Sequence, residues 1–175
     1  MSVFEYNFEQ YKSLSPDLYR KEKYNLQVEL LKLQEDVIKK KRKIAICFEG
    51  RDTAGKSSTI NFFSEHLIPS NFNYVHLGIP TKKERKNWFE RYETYLPNKG
   101  QIVLFDRSWY TRALTEPTLG YCSKKQYEEF MTKVNKWEKS LVKKGTELVK
   151  FYFSIDKDQQ KRRINARKNS KLKYW

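Results

Sequence analysis

The stretch that most constrains the fold of this chain is the segment 44–59, which reads IAICFEGRDTAGKSST. Its first five residues are apolar and partly β-branched, which is typical of a buried strand. The loop that follows matches GxxxxGK[ST] at every fixed position, through Gly50, Gly55, Lys56 and Ser57. A strand, this loop and a helix in that order form the phosphate-binding motif called Walker A. The segment therefore predicts an α/β fold with a phosphate site directly after its first strand.

The residue types in this loop match the chemistry of phosphate binding. Glycines let successive backbone N–H groups turn toward phosphate oxygens. The following helix adds its unpaired N-terminal N–H groups and the positive end of its dipole. Lys56 can reach the terminal phosphates, and the hydroxyl of Ser57 or Ser58 can hold a metal ion. The predicted phosphate-binding residues are Gly50, Arg51, Thr53, Ala54, Gly55, Lys56, Ser57 and Ser58.

Two carboxylates are candidates for holding a divalent cation beside the phosphates. Asp106 closes the apolar run VLFD, which is the Walker B pattern of a strand that ends on a metal ligand. Asp52 lies inside the loop, where its charge would repel bound phosphates unless a cation lay between them. Spacing alone leaves Asp52 open between a second magnesium ligand and an exposed loop residue that Arg51 neutralises.

Arginines provide the fixed cations that phosphoryl transfer requires around the moving group. Arg107 and Arg112 belong to the sequence DRSWYTR, in the segment that leaves the third predicted strand. In an open α/β sheet such segments border the ligand crevice. Gln160, Arg163 and Arg167 follow at i, i+3 and i+7 in a very basic final helix. They share one helix face and can close over phosphates as a lid, the alternative being a solvated basic face.

The rest of the chain alternates between strand-like and helix-like segments, which predicts a parallel sheet covered by helices on both faces. Further strands are predicted at 73–77, 101–106 and 147–154. Helices are predicted at 21–43, from the glycine loop to Pro69, at 81–96, at 123–145 and from 156 onward, and a turn at Pro16 and Asp17. The helices at 81 and 123 are predicted to start with capping boxes, formed by Thr81 with Glu84 and by Ser123 with Gln126. We divide the chain into an N-terminal helical extension, 1–43, and a P-loop core, 44–175, with a lid segment at 156–175.

The composition favours an anionic partner and a reducing compartment. Lys and Arg number 36 against 21 Asp and Glu, a formal net charge of +15 that suits nucleic acid, an acidic membrane or a phosphate-rich small molecule. A solvated basic surface without a partner is the alternative. Cys47 and Cys122 belong to no CxxC pair, and no apolar run is long enough to span a membrane. We therefore expect a cytoplasmic protein with reduced thiols and no membrane partner.

Four stretches together resemble the family-2 polyphosphate kinases: GRDTAGKS, PTKKERKNWFERY, LPNKGQIVLFDRSWYTRALTE and SIDKDQQKRR. They run in order from about residue 30 to the end of the chain, and FDRSWY with GRDxxGK is far more specific than a Walker A motif alone. The resemblance implies a P-loop kinase fold related to thymidylate kinase. It also implies magnesium-dependent phosphoryl transfer between inorganic polyphosphate and nucleotides.

The resemblance implies roles for individual residues as well. Asp52 and Asp106 would hold magnesium, and Lys56 would bind and polarise the transferring phosphate. Glu116 matches an acidic residue of the family and is a candidate substrate-binding residue. The arginines that would stabilise charge or close the lid are Arg107, Arg112, Arg163 and Arg167. The surplus of Lys and Arg would line a track for the polyanion.

The chain departs from the family pattern at several positions. Ser57 and Ser58 replace glycines, and Thr111 and Leu114 replace the usual asparagine and glycine. The family usually continues into another helix and a final strand beyond the position of Trp175, so we expect a truncated form or a fragment.

Three functions remain open at this point. The first is a polyphosphate-dependent kinase acting on ADP/ATP or GDP/GTP, with AMP as a further acceptor. The second is an ATP-dependent nucleoside monophosphate kinase on the same fold. The third is a non-catalytic nucleic-acid-binding module, which would explain the charge but neither Lys56 nor Asp106. We expect the first, with no nucleic-acid partner and with the homo-oligomeric assembly common in the family.

Overall fold

The computed structural model describes residues 14–172. Its centre is a four-stranded parallel sheet in the order β2-β3-β1-β4. The strands are β1 Lys43–Gly50, β2 Phe72–Val75, β3 Gln101–Asp106 and β4 Thr146–Phe153. The α-helices are α1 Pro16–Lys39, α2 Lys56–Ser64, α3 Lys82–Lys86, α4 Glu90–Glu93, α5 Thr111–Thr118, α6 Lys124–Lys143 and α7 Lys157–Lys168. The parts of the predicted extension and lid at 1–13 and 173–175 lie outside the described residues.

The two central strands, β1 and β3, are buried on both faces of the sheet, whereas the edge strands β2 and β4 are partly exposed. Alternate residues of a strand point to opposite faces, so two separate clusters form. One face joins the even-numbered residues of β1 to Val37 of α1 and Ile60 of α2. The other face joins Ala45 and Cys47 to a mostly aromatic cluster made of Val75, Trp88, Tyr92, Val103, Phe105, Trp109, Phe130 and Val134. The predicted parallel sheet with helices on both faces is confirmed.

Four predicted boundaries in the first half of the chain are wrong. Pro16, expected in a turn, is the first residue of α1 because Ser15 caps the helix by accepting a hydrogen bond from the Leu18 amide. A proline costs nothing there, since the first-turn N–H groups have no helical partner anyway. α1 also ends before residue 43, α2 ends at Ser64 rather than near Pro69, and β2 stops at Val75.

The helix predicted over 81–96 is instead two short helices. Thr81 and Glu84 do form the predicted capping box, but α3 is only five residues long and α4 only four. Trp88 lies between them with 6% of its surface exposed, and its Nε1 donates to the carbonyl of Trp109 over 2.9 Å. We infer that anchoring this indole in the core interrupts the helix, since tertiary packing overrides local helix propensity.

The elements after β3 mix confirmed and missed features. The capping box between Ser123 and Gln126 starts α6 as predicted, and the Asp156 side chain caps α7 by accepting from the Gln159 amide. No helix is predicted at the position of α5, where Pro117 near the end of the segment disfavours one. In the part of the chain that the structure covers, no helix has the length and apolar character needed to cross a membrane.

Candidate active site

The phosphate loop joins β1 to α2 at the carboxyl edge of the sheet. Gly50 and Gly55 have φ angles of +133° and +114°, which favour glycine. A Cβ on Gly50 would also lie 2.3 Å from the carbonyl oxygen of Phe153 in β4, whereas a Cβ on Gly55 would meet nothing within 4 Å. Gly50 is therefore required both because a side chain would clash with β4 and because of its positive φ, whereas Gly55 is required only because of its positive φ.

Lys56 is the first residue of α2, and it is 6% exposed. Its Nζ donates to the carbonyl oxygens of Gly50 over 2.8 Å and Arg51 over 2.9 Å, so the ammonium lies across the loop. Burial lowers the pKa of Lys56, and the nearby Arg107 charge lowers it further. The cation is thus held at the loop by groups that phosphate oxygens can replace.

Asp106 ends β3 opposite Phe48 of β1, which brings its carboxylate beside the phosphate loop. Its Oδ2 accepts from Ser57 Oγ over 2.7 Å and from the Tyr74 hydroxyl over 3.1 Å. His76, one residue beyond β2 although the predicted strand included it, places Nδ1 3.9 Å from the same oxygen. Burial, and then the Asp106 charge, raises the pKa of Tyr74 to about 12. Tyr74 and His76 were not among the predicted site residues.

Asp52 pairs with Arg107, which lies 55 positions further along the chain, rather than with its neighbour Arg51. Arg107 has a left-handed backbone with φ of +64°, a conformation that costs a non-glycine residue about 1–3 kcal/mol. The pair joins the phosphate loop to the turn that follows β3. The structure thus brings two of the predicted catalytic side chains together at the loop.

The basic helix α7 also contacts the phosphate loop. Gln160 Nε2 donates to the Asp52 carbonyl over 3.3 Å, and Arg163 Nη1 donates to the Thr53 carbonyl over 2.9 Å. Arg167 is exposed one turn further along the helix. Gln160, Arg163 and Arg167 were predicted to share one helix face. That face contacts the phosphate loop through Gln160 and Arg163.

Arg112 and Glu116 form a buried ion pair within α5, with Nη1 and Oε2 3.0 Å apart. The Arg112 guanidinium lies 4.0 Å from the centre of the Trp88 ring, and its Nη2 donates to the Arg85 carbonyl over 3.0 Å. Burial raises the pKa of Glu116, and the Arg112 charge opposes that shift. All these contacts lie outside the phosphate loop.

Glu49 is a buried site neighbour that the sequence reasoning missed. Its Oε1 accepts from both the backbone N–H of Ser108, over 2.6 Å, and the Ser108 hydroxyl, over 2.7 Å. Burial raises the pKa of this carboxyl group. The signal in the sequence was the position of Glu49, which lies at the carboxyl end of an apolar strand directly before Gly50. Asp106 has the corresponding position at the end of β3.

The oxygen ligands at this edge suit magnesium. Among residues 14–172 no group of three or more His, Cys, Asp or Glu side chains forms a ready metal cluster. Magnesium needs less, because it is usually bound by one or two carboxylates together with waters and substrate phosphates. Asp106 with the Ser57 hydroxyl provides such a set, and Asp52 provides a second carboxylate on the loop. The residues present therefore fit the ion.

Comparison with known proteins gives a consistent result. The family model described as polyphosphate kinase 2 matches residues 13–175. A GDP-polyphosphate phosphotransferase of Pseudomonas aeruginosa is 44% identical over 158 residues, covering 90% of this chain and 44% of its own length. An ADP-polyphosphate phosphotransferase of the same species is 43% identical over 163 residues, covering 93% of this chain and 54% of its own length.

Solved structures agree with the sequence comparison. A crystal structure of a polyphosphate kinase 2 from Arthrobacter aurescens superposes with a TM-score of 0.84 at 25% identity, covering 93% of this chain and 60% of that one. A crystal structure described as a polyphosphate kinase 2 from Pseudomonas aeruginosa superposes with a TM-score of 0.86 at 30% identity, covering 96% of this chain and 37% of that one. The P-loop kinase-like α/β fold is therefore confirmed. The chain spans about half the length of the curated relatives it matches.

Proposed function

This chain belongs to the polyphosphate kinase 2 family, and on that premise we propose that it transfers phosphoryl groups between inorganic polyphosphate and a nucleoside diphosphate. The observation that carries the proposal is the 2.7 Å hydrogen bond between Ser57 Oγ and Asp106 Oδ2. It joins the start of the phosphate-binding helix to the strand-end carboxylate, beside the buried Lys56. The names of relatives support ADP and GDP as acceptors, and AMP is a further one to test.

The proposed mechanism is in-line transfer, in which the protein supplies position and charge and no side chain acts as a nucleophile. Backbone N–H groups of the loop and of the first turn of α2 would cradle the phosphate oxygens. Lys56 would exchange its two loop carbonyls for phosphate oxygens. Arg107 would meet the charge of the moving group, and Arg163 would close from α7.

We propose that Asp106 and Asp52 hold magnesium, with the Ser57 hydroxyl as an additional oxygen ligand. When bound, the ion neutralises phosphate charge and helps to align donor and acceptor. Ser57 and Ser58 replace glycines of the family pattern, so this chain has hydroxyl groups at two positions where the common pattern has none.

The remaining predicted residues receive different parts in the proposal. Arg167 extends the basic face of α7 beyond Arg163, so we assign it to the polyphosphate track. For Arg112 and Glu116 we propose an indirect role, because their ion pair packs on Trp88 and Trp88 donates to Trp109 in the DRSWY turn. They would then stabilise the turn that carries Arg107.

We also propose a cytoplasmic location, supported by two free cysteines, Cys47 and Cys122. A homo-oligomeric assembly and the absence of a nucleic-acid partner stay predictions. The net charge of +15 supports a polyanion as the donor, because phosphate chains bind largely as strings of charges.

The direct test supplies long-chain polyphosphate with ADP, GDP or AMP in the absence of ATP, and measures nucleotides by ion-exchange chromatography. Magnesium is compared with EDTA. We expect ATP or GTP to form in magnesium and neither to form in EDTA. If polyphosphate yields no product, while ATP phosphorylates nucleoside monophosphates, the chain is an ATP-dependent monophosphate kinase and the proposal is wrong.

Two variants and a matched control connect the activity to the site. Lys56→Ala and Asp106→Asn should each lower kcat about 100-fold or more, as is usual when a charge-stabilising group is lost. Lys136→Ala makes the same change at an exposed lysine of α6 and should leave kcat unchanged. Equal activity in all three variants would show that the phosphate loop is not needed for the reaction. Salt-sensitive nucleic-acid binding would then be the function to examine.

A further inference from the structure

Glu49 has no part in the mechanism described above, yet it is buried at the centre of the site. It lies in β1 directly before the phosphate loop and is 7% exposed. One of its carboxylate oxygens accepts both hydrogen bonds that Ser108 can donate, from its N–H and from its hydroxyl. Ser108 is fully buried, so no water is available to replace this acceptor.

These two bonds act on the turn that carries Arg107. The Arg107 amide donates to the Phe48 carbonyl over 3.1 Å, and the next amide, that of Ser108, donates to the Glu49 side chain. The backbone is thus fixed on both sides of the Arg107 Cα, where the residue has its left-handed φ of +64°. That conformation directs the guanidinium across the loop to Asp52.

We propose that Glu49 is a positioning residue, which holds the turn after β3 through Ser108 so that Arg107 faces the phosphates. The proposal rests on the proposed function, because it takes Arg107 as the group that meets the transferring charge. Glu49 contacts neither phosphate nor metal in this account, and it acts through hydrogen-bond geometry rather than through its charge.

A double-mutant cycle on kcat tests whether Glu49 acts through Arg107. Arg107→Ala should lower kcat by about 100-fold or more, and Glu49→Ala by about 10-fold or more, with a smaller change in the KM for polyphosphate. The double variant should be within about threefold of Arg107→Ala, because residues that act as one unit are not additive. A double loss equal to the product of the two single losses would overturn the proposal.

Two conservative variants separate hydrogen-bond geometry from charge, and they also serve if Glu49→Ala does not fold. Glu49→Gln keeps the reach and an accepting oxygen without the charge, so it should retain most of the wild-type kcat. Glu49→Asp keeps the charge but withdraws the carboxylate by one methylene, so it should resemble Glu49→Ala. The opposite order, with Asp active and Gln impaired, would show an electrostatic role and overturn the proposal.

Glu138 provides the matched control. It is another buried carboxylate that accepts from the same turn, at Trp109 Nε1 over 3.0 Å, but its other partner is Lys150 of β4. Glu138→Ala should lower thermal stability, and its effect on kcat should be the same in the wild-type and Arg107→Ala backgrounds. If Glu138→Ala is coupled to Arg107→Ala as strongly as Glu49→Ala is, then Glu49 has only a general packing role and the proposal is wrong.

Calorimetric titration with inorganic tripolyphosphate separates this proposal from the proposed function. If the wild-type chain binds tripolyphosphate and forms no nucleoside triphosphate, the proposed function fails, and the same cycle is then measured on the binding constant. Non-additive losses of affinity for Glu49 and Arg107 would support the positioning role, and additive losses would overturn it. If the wild-type chain neither binds tripolyphosphate nor forms a nucleoside triphosphate from long-chain polyphosphate, both proposals are overturned.

Discussion

Replacement of Gly50 by alanine should destabilise the whole fold as well as the phosphate loop. The added Cβ would lie 2.3 Å from the Phe153 carbonyl oxygen, where ordinary contact begins at 3.4 Å. Either the loop or the end of β4 must therefore move by about 1 Å. These two residues are register partners in the β1–β4 pairing, so the movement disturbs the sheet itself.

Two costs combine in this variant. A side chain in the left-handed region costs roughly 1–2 kcal/mol, and overpacking a close-packed site costs typically about 1–3 kcal/mol. We expect a loss of about 2–5 kcal/mol in the free energy of unfolding, which for a chain of this size lowers Tm on the order of 10 °C. Two other glycines, Gly55 and Gly78, provide graded controls.

Urea unfolding of three alanine variants measures these costs separately. Gly55→Ala has the left-handed φ but nothing within 4 Å of the new Cβ, so it should lose only about 1–2 kcal/mol. Gly78→Ala has neither problem and should lie within about 0.5 kcal/mol of the wild-type chain. If Gly50→Ala is as stable as Gly78→Ala, the explanation of the first loop glycine by contact with β4 is refuted.

Three further predictions concern charge. Glu116→Ala leaves the buried Arg112 without its partner, so urea unfolding should show a loss of about 3–5 kcal/mol, and a loss below 1 kcal/mol would contradict the burial of that pair. Arg42 donates two hydrogen bonds to Glu147, and these hold the pKa of Glu147 below its usual range. The stability from this pair is therefore present above about pH 4.5 and lost as the pH falls through the lower pKa of the folded state. The difference in stability between the wild-type chain and Glu147→Gln, which leaves the ion pair of Arg42 with Asp36 in place, should shrink between pH 7 and pH 3. A constant difference would exclude the Arg42–Glu147 pair as its source. Finally, raising salt should increase the KM for polyphosphate several-fold more than the KM for the nucleotide, because screening weakens a long polyanion most, and equal increases would argue against a charged track.

The features that the sequence predicted correctly are local ones. The Walker A loop, the strand that ends on Asp106 and the capping boxes after Thr81 and Ser123 each depend on residues within a few positions of one another. Their chemistry is complete within the segment, so the pattern alone identifies them. The parallel sheet followed from the alternation of such segments.

The features that it missed are contacts between distant segments. Ser108 meets Glu49 across 59 positions, and Tyr74 reaches Asp106 across 32. The position of Glu49 at a strand end indicates the edge of the sheet on which it lies, but nothing in either segment indicates the register that makes Ser108 its partner. The interruption of the helix after α3 has the same origin, because it depends on a bond from Trp88 to a carbonyl 21 positions away.

A crystal structure with magnesium and inorganic tripolyphosphate tests the central claim most directly. We expect phosphate oxygens within hydrogen-bond distance of the backbone N–H groups of the loop. Lys56 Nζ should leave the Gly50 and Arg51 carbonyls for the phosphate, and the magnesium ion should be bound to Asp106. A phosphate chain bound elsewhere on the basic surface, with Lys56 still on its two carbonyls, would contradict it.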